Sequence, residues 1–175
     1  MLKVIALVVV GAIAIVLIFA ATRPDSFLVQ RATDIKAPPE VIFAHVNDFK
    51  SWAAWSPYEK LDPTMTRSYG GADNGKGATY AWTSDGRAGA GGMEIIESAP
   101  PSKIALTLQF TKPFKTNNVV TFTFVPQGDI TAVTWAMEGP MPFVAKVMGL
   151  IFSMDSMVGG DFEAGLADLK KLSEQ

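Results

Sequence analysis

Residues 4 to 21, Val-Ile-Ala-Leu-Val-Val-Val-Gly-Ala-Ile-Ala-Ile-Val-Leu-Ile-Phe-Ala-Ala, carry no charge and no hydrogen-bonding side chain. Such a run has to leave water, into a core or into a bilayer. As a helix rising about 1.5 Å per residue it reaches roughly 27 Å, close to the ~30 Å of hydrocarbon a spanning helix must match. Lys3 and Arg23 bracket it. Residues 1–23 are therefore expected to be a retained single-pass membrane anchor. The alternative is a cleaved secretory leader, whose apolar stretch is shorter, about 7 to 15 residues, and ends at small residues. Ala20, Ala21 and Thr22 make a mediocre cleavage site. Lys3 lies on one side of the run and Arg23, Arg31 and Lys36 on the other. The orientation expected is amino terminus inside, with the globular part on the outer, periplasmic or extracellular side.

Residues 24–175 are long enough for one domain with a sizeable core and leave little room for a second. The whole chain has 15 Lys and Arg against 17 Asp and Glu, a net charge of −2, with no clustered basic stripe. Nucleic-acid binding is disfavoured on that ground, because phosphate neutralisation supplies most of its affinity. Cysteine is absent, which removes disulfides, thiolate metal sites and cysteine nucleophiles together. His45 is the only histidine, so histidine-pair metal motifs are excluded and no cofactor is expected.

Past the linker, Phe27 to Ile35 reads as a strand, stopped by Ala37-Pro38-Pro39-Glu40, where proline suits the first turn of a helix. Val41, Ile42, Val46 and Phe49 recur at helical spacing, and Asp48 to Trp55 reads as a second short helix closed by Ser56-Pro57. From Met65 the period becomes two. Tyr80 and Trp82 share a face, as do Met93 and Ile95, and longer alternations follow in Ile104–Phe110, Val120–Phe124 and Val133–Met137. Turn chemistry separates five or six sequential strands, and such short connections imply antiparallel neighbours. After Gly139-Pro140 helical spacing returns, from Phe143 through Val147, Leu150, Met154, Val158, Phe162 and Leu166 to Leu169. One long amphipathic helix is expected there, with Gly159-Gly160 as a place to kink.

The block Ile35-Lys36-Ala37-Pro38-Pro39-Glu40-Val41-Ile42-Phe43, the segment Phe49-Lys50-Ser51-Trp52-Ala53-Ala54-Trp55-Ser56-Pro57-Tyr58 and the closing Asp161-Phe162-Glu163-Ala164-Gly165-Leu166 resemble the START-like, or SRPBCC, superfamily. More narrowly they look like its bacterial polyketide cyclase/dehydrase and lipid-transport branch, over about Phe27 to Leu172. The resemblance implies an α+β helix-grip fold: a curved antiparallel sheet of six to seven strands around a long C-terminal helix, with two short helices after the first strand and here a transmembrane helix in front. It implies a cavity and leaves the occupant open. No catalytic signature comes with it.

Large soft side chains on faces expected to meet the interior are the candidate ligand-binding set: Trp52, Trp55, Tyr80, Trp82, Met93, Phe110, Phe122, Trp135, Met137, Met148, Phe152 and Met154. Methionines and aromatics suit an adaptable apolar pocket, although any one of them serves equally as core. Trp52, Trp55 and Tyr58 read either as a pocket rim or as anchors of the second helix. Glu59 and Asp62, three apart before Pro63, read as a solvated turn rather than an acid–base pair. Glu94 and Glu138 are expected to point outward. His45, three residues before Asp48, reads as a surface or capping residue. Gly86 to Gly92 lacks the following helix a phosphate loop requires. Lys112, Lys115, Arg67 and Arg87 read as solubilising charges, with anionic head groups as the alternative.

The function expected is noncatalytic: a membrane-anchored module, held through residues 4–21, that binds a hydrophobic small molecule such as a lipid or a polyketide- or isoprenoid-like compound. A cyclase/dehydrase-type enzyme using the same cavity and a cell-envelope protein-interaction module are the alternatives.

Overall fold

The computed structural model describes residues 1–86 and 88–175. Helix α1 (Leu2–Ala21) precedes strand β1 (Ser26–Ile35), helix α2 (Pro39–Asn47) and two 3-10 turns, Phe49–Ala54 and Pro57–Lys60. Six strands follow: β2 (Thr66–Gly71), β3 (Ala78–Thr83), β4 (Ala90–Ala99), β5 (Lys103–Lys112), β6 (Thr116–Gln127) and β7 (Ile130–Pro140). Helices α3 (Phe143–Met148) and α4 (Met154–Ser173) complete the chain. All seven strands form one antiparallel sheet in the order β1-β7-β6-β5-β4-β3-β2. The α+β helix-grip architecture is as the sequence implied.

Alternation decides which face is buried. Along β6 and β7, Val120, Phe122, Phe124, Val133, Trp135 and Met137 are all buried, while Glu138, like Glu94 on β4, points outward. Register stacks these side chains into rows across the concave face. One row runs Arg31–Trp135–Phe122–Ile104, the next Val29–Met137–Val120–Leu106–Ile95. A third contains Leu108, Met93, Tyr80 and Tyr69, with Asn118 opposite Leu108 and Phe27 opposite Gly139.

Helix α4 lies over β1 and the middle of the sheet, and two glycines set its closeness. A Cβ on Gly165 would come within 2.7 Å of the Trp135 ring, and one on Gly159 would collide with the Arg31 guanidinium. Arg31 in turn holds Asp155 at 2.7 Å and Glu163 at 2.6 Å, and Lys60 holds Asp168 at 2.8 Å. Its C-terminal end is tied down by Glu174, which accepts the Lys36 backbone N–H at 2.6 Å.

The single long closing helix expected from Phe143 onward is corrected. The chain is helical over Phe143–Met148, turns through Gly149 to Ser153 and starts afresh at Met154. Ser153 makes the break, its side-chain oxygen accepting the Ser156 N–H as an N-cap. Gly159-Gly160, the expected kink, lies inside the unbroken α4, where Gly159 provides room rather than a bend.

Candidate functional site

The residues expected to surround a ligand fall into three places. Trp52, Trp55, Tyr80, Trp82, Phe122, Trp135 and Met137 are buried, and most of them pack on one another. Trp135 stacks on Phe162 of α4 at 4.2 Å between ring centroids and 9° between planes. It also touches Phe122 at 5.0 Å and Trp55 edge-on at 5.6 Å, and Trp52 lies 4.9 Å from Trp55. The tryptophan-rich segment after α2 thus acts as a wedge driven between sheet and helix. It is anchored by indole N–H groups, Trp52 donating to the Val46 carbonyl at 2.9 Å and Trp55 to that of His45 at 3.3 Å. Tyr58 stands edge-on to Trp135 at 6.4 Å, and burial pushes its hydroxyl well above the usual tyrosine range.

Met93, Phe110 and Met154 occupy a second place. With Phe27, Leu108 and Val158 they are only partly buried and pack against the margin of the core. They belong to the end of the grip where β1 starts, β5 ends and α4 begins. Trp82 closes the side of this region, lying over Gly91, whose added Cβ would sit 2.6 Å from the indole ring, and meeting Phe110 edge-on at 5.5 Å. Met148 and Phe152 stand in the third place and are a correction. They are 58 % and 65 % exposed: Met148 ends α3 and Phe152 lies in the turn before α4, so neither belongs to the helix that covers the sheet.

Polar groups inside are few. The Trp135 indole N–H is buried and has no acceptor among the described residues, an arrangement that costs about 1–3 kcal/mol when nothing pairs with it. The expectation of a solvated turn at Glu59 is overturned. Its side chain is 8 % exposed, paired with Arg67 at 2.6 Å, and accepts the Tyr80 hydroxyl at 2.5 Å. Burial, followed by the hydrogen bond to Glu59, drives the Tyr80 hydroxyl far above its ordinary range, so it stays a donor. Asp62 accepts from Ser84 and from the Thr64 N–H and hydroxyl, and these bonds hold its carboxyl below the usual range. It borders an open polar cleft of about 420 Å³ outside the interior, between Leu61–Thr66 and Thr83–Gly86.

His45 is half-buried, which lowers its pKa below 6.5. Arg67 is committed to Glu59, Lys112 and Lys115 are exposed, and Arg87 lies outside the described residues. Among the described residues no group of three or more His, Asp or Glu side chains is placed to hold a metal ion. Glu59's partners are 8 and 21 residues away, which is why no local pattern announced them.

Residues 26–174 match the family model for polyketide cyclase / dehydrase and lipid transport, and the chain belongs to that family. No curated protein matches it in sequence. Among solved structures it is similar to protein CV1439 from Chromobacterium violaceum, at 18 % identity over 87 % of this chain and 99 % of that one, TM-score 0.59. The Aha1 dimer from Colwellia psychrerythraea aligns at 14 % identity over 85 % and 96 %, TM-score 0.60. DynU16, from the dynemicin biosynthetic locus, aligns at 16 % identity over 85 % of this chain and 47 % of that one, TM-score 0.59. At these identities the likeness is one of fold. Family and fold together suggest a module that binds hydrophobic ligands, and α1 is long and apolar enough to cross a membrane.

Proposed function

We propose that this chain is a noncatalytic, membrane-anchored binding module. Its α1 crosses the bilayer with the domain on the outer side, and its ligand is a hydrophobic small molecule of the lipid, polyketide or isoprenoid kind. One observation carries the reading: the apolar concave face is sealed at the Trp55–Trp135–Phe162 end and unsealed at the Phe27–Leu108–Phe110 end. A half-covered apolar surface inside a grip is the kind of site an apolar molecule completes, since burying it is favoured by ~25 cal/mol per Å². The buried Trp135 N–H, without an acceptor among the described residues, is a polar group a ligand oxygen reaching into the grip would satisfy.

The full chain, extracted from membranes in mild detergent and examined by native mass spectrometry, is expected to carry an apolar molecule. The double substitution Met93→Trp and Leu108→Trp fills the unsealed end and should abolish carriage while thermal unfolding remains cooperative. A wild-type protein that is empty and refuses fluorescent lipid probes would overturn the reading. Resistance of the full-length chain to carbonate extraction tests the anchor separately, since a cleaved leader would free the domain.

The Glu59–Tyr80 pair is the observation that favours an enzyme instead, because Tyr80 is a buried hydroxyl held ready to donate. Tyr80→Phe keeps the ring and removes the hydroxyl. The binding-module reading expects it to leave cargo unchanged, whereas a cyclase/dehydrase would lose turnover on a polyketide-like substrate and keep binding.

A further inference from the structure

Beyond α1 and the Met1 that precedes it, eight large apolar side chains among the described residues are more than half exposed. Seven of them, Leu28, Phe114, Val144, Met148, Ile151, Phe152 and Met157, lie at the end of the sheet where β1 begins and α1 ends. The eighth, Val125, lies at the opposite end. Exposure is extreme for a water-soluble surface: Phe114 74 %, Ile151 78 % and Phe152 65 %. Large apolar side chains gathered so exposed at one end point to an interaction surface there.

Three arrangements say what covers it. Helix α3 packs against α1, where Ala20 is fully buried, so the elbow from Val144 to Met157 sits beside the point where the apolar helix ends. At that point Arg23 lies over the Phe19 ring, 4.9 Å from its centroid, the cation-and-aromatic combination found where chains leave a bilayer. Phe114 projects from the β5–β6 turn between exposed Lys112 and Lys115, so its flanks suit anionic head groups. Of the nearby carboxylates, Asp25 is engaged by Lys146 at 2.5 Å and Asp155 by Arg31 at 2.7 Å, while Glu138, opposite Leu28, faces solvent on the outer side of the sheet.

We propose that the α3–α4 elbow and the Phe114 turn are a second membrane contact, inserted into the lipid interface beside α1, so that the unsealed end of the grip opens directly onto the bilayer. This rests on the anchor reading above and deepens it: the ligand enters sideways from the membrane. An apolar face of this kind beds about 5–10 Å into the head-group and acyl boundary. Basic flanks strengthen that contact where the leaflet is anionic.

The chain has no cysteine, so single labels can be placed without a background. The full chain is reconstituted into vesicles of neutral and anionic phospholipid, with a nitroxide at Val9→Cys, Phe114→Cys, Ile151→Cys, Phe152→Cys or Val125→Cys. Collision with oxygen, which partitions into lipid, is compared with collision with a water-soluble nickel complex. The expected result is lipid-like ratios at 9, 114, 151 and 152 and an aqueous ratio at 125. Lipid-like at 9 but aqueous at 114, 151 and 152 overturns the second contact and leaves the anchor standing. An aqueous ratio at 9 overturns both. Labels at 151 and 152 shielded from both reagents mean that a protein covers the elbow, and that too overturns the proposal.

Discussion

The two ends of the grip are built from the same residue types and differ in closure. At the end beneath α2 and the 3-10 turns, Trp52, Trp55, Phe122 and Phe162 interlock with Trp135, and α4 reaches the sheet through Gly165. At the other end Phe27, Met93, Leu108 and Phe110 have the same alternation and the same inward orientation, but no wedge covers them. The lesson is that stability and availability are allotted to different rows of one sheet. Interlocked rings hold the fold, and the rows left half-covered are free to meet something else.

Trp135→Ala should damage the sealed end most, by about 3–5 kcal/mol in urea unfolding, the range for deleting a buried ring. A loss under 1 kcal/mol would mean that the ring cluster does not dominate stability. Gly165→Ala pushes a methyl into the Trp135 ring, and overpacking of about 1–3 kcal/mol outweighs the ~1 kcal/mol that alanine gains in a helix. A net loss is expected. At the unsealed end Leu108→Ala removes area that solvent already partly reaches, so a loss of about 1 kcal/mol is expected at ~25 cal/mol per Å², together with weaker cargo retention. Equal costs at Leu108 and Trp135 would erase the distinction between the ends.

The twin glycines of α4 sharpen it further. Gly160 has nothing within 4 Å, so Gly160→Ala should stabilise by up to ~1 kcal/mol in thermal or urea unfolding, whereas Gly159→Ala displaces the Arg31 guanidinium and should not. The smallest effect is of pH. Arg31 holds Asp155, and Lys60 then Lys171 hold Asp168, below the ordinary 3.8. A carboxyl lowered by folding stabilises fully above its unfolded value and loses that contribution as pH falls through the lowered one. Urea midpoints of wild type should therefore decline below about pH 3.8, and Asp155→Asn should decline less steeply.

Much of this was legible in the residues. Strict alternation in β5 to β7, with Pro and Gly at the turns, left one reading of the sheet, since a one-residue slip would turn Trp135 and Phe122 outward. The break at Gly149 to Ser153 was hidden because Leu150 and Met154 keep the helical spacing across it; only the capping serine marks it. The split of the candidate residues between sealed and unsealed rows was not legible either. Periodicity tells which face Met93 and Trp135 share, and says nothing of what the Trp52–Trp55 wedge covers, because that depends on contacts made 80 residues apart. Glu59 was misjudged for the same reason, its partners arriving from β2 and β3.

Only Thr22 to Asp25 separate α1 from the first strand. Four residues stretch at most about 14 Å, and Lys146 bonded to Asp25 shortens even that leash. On the proposed anchoring, a domain so moored has no reach to a second membrane. It would work as a fixed berth rather than a ferry, and whatever receives its cargo would have to come to it.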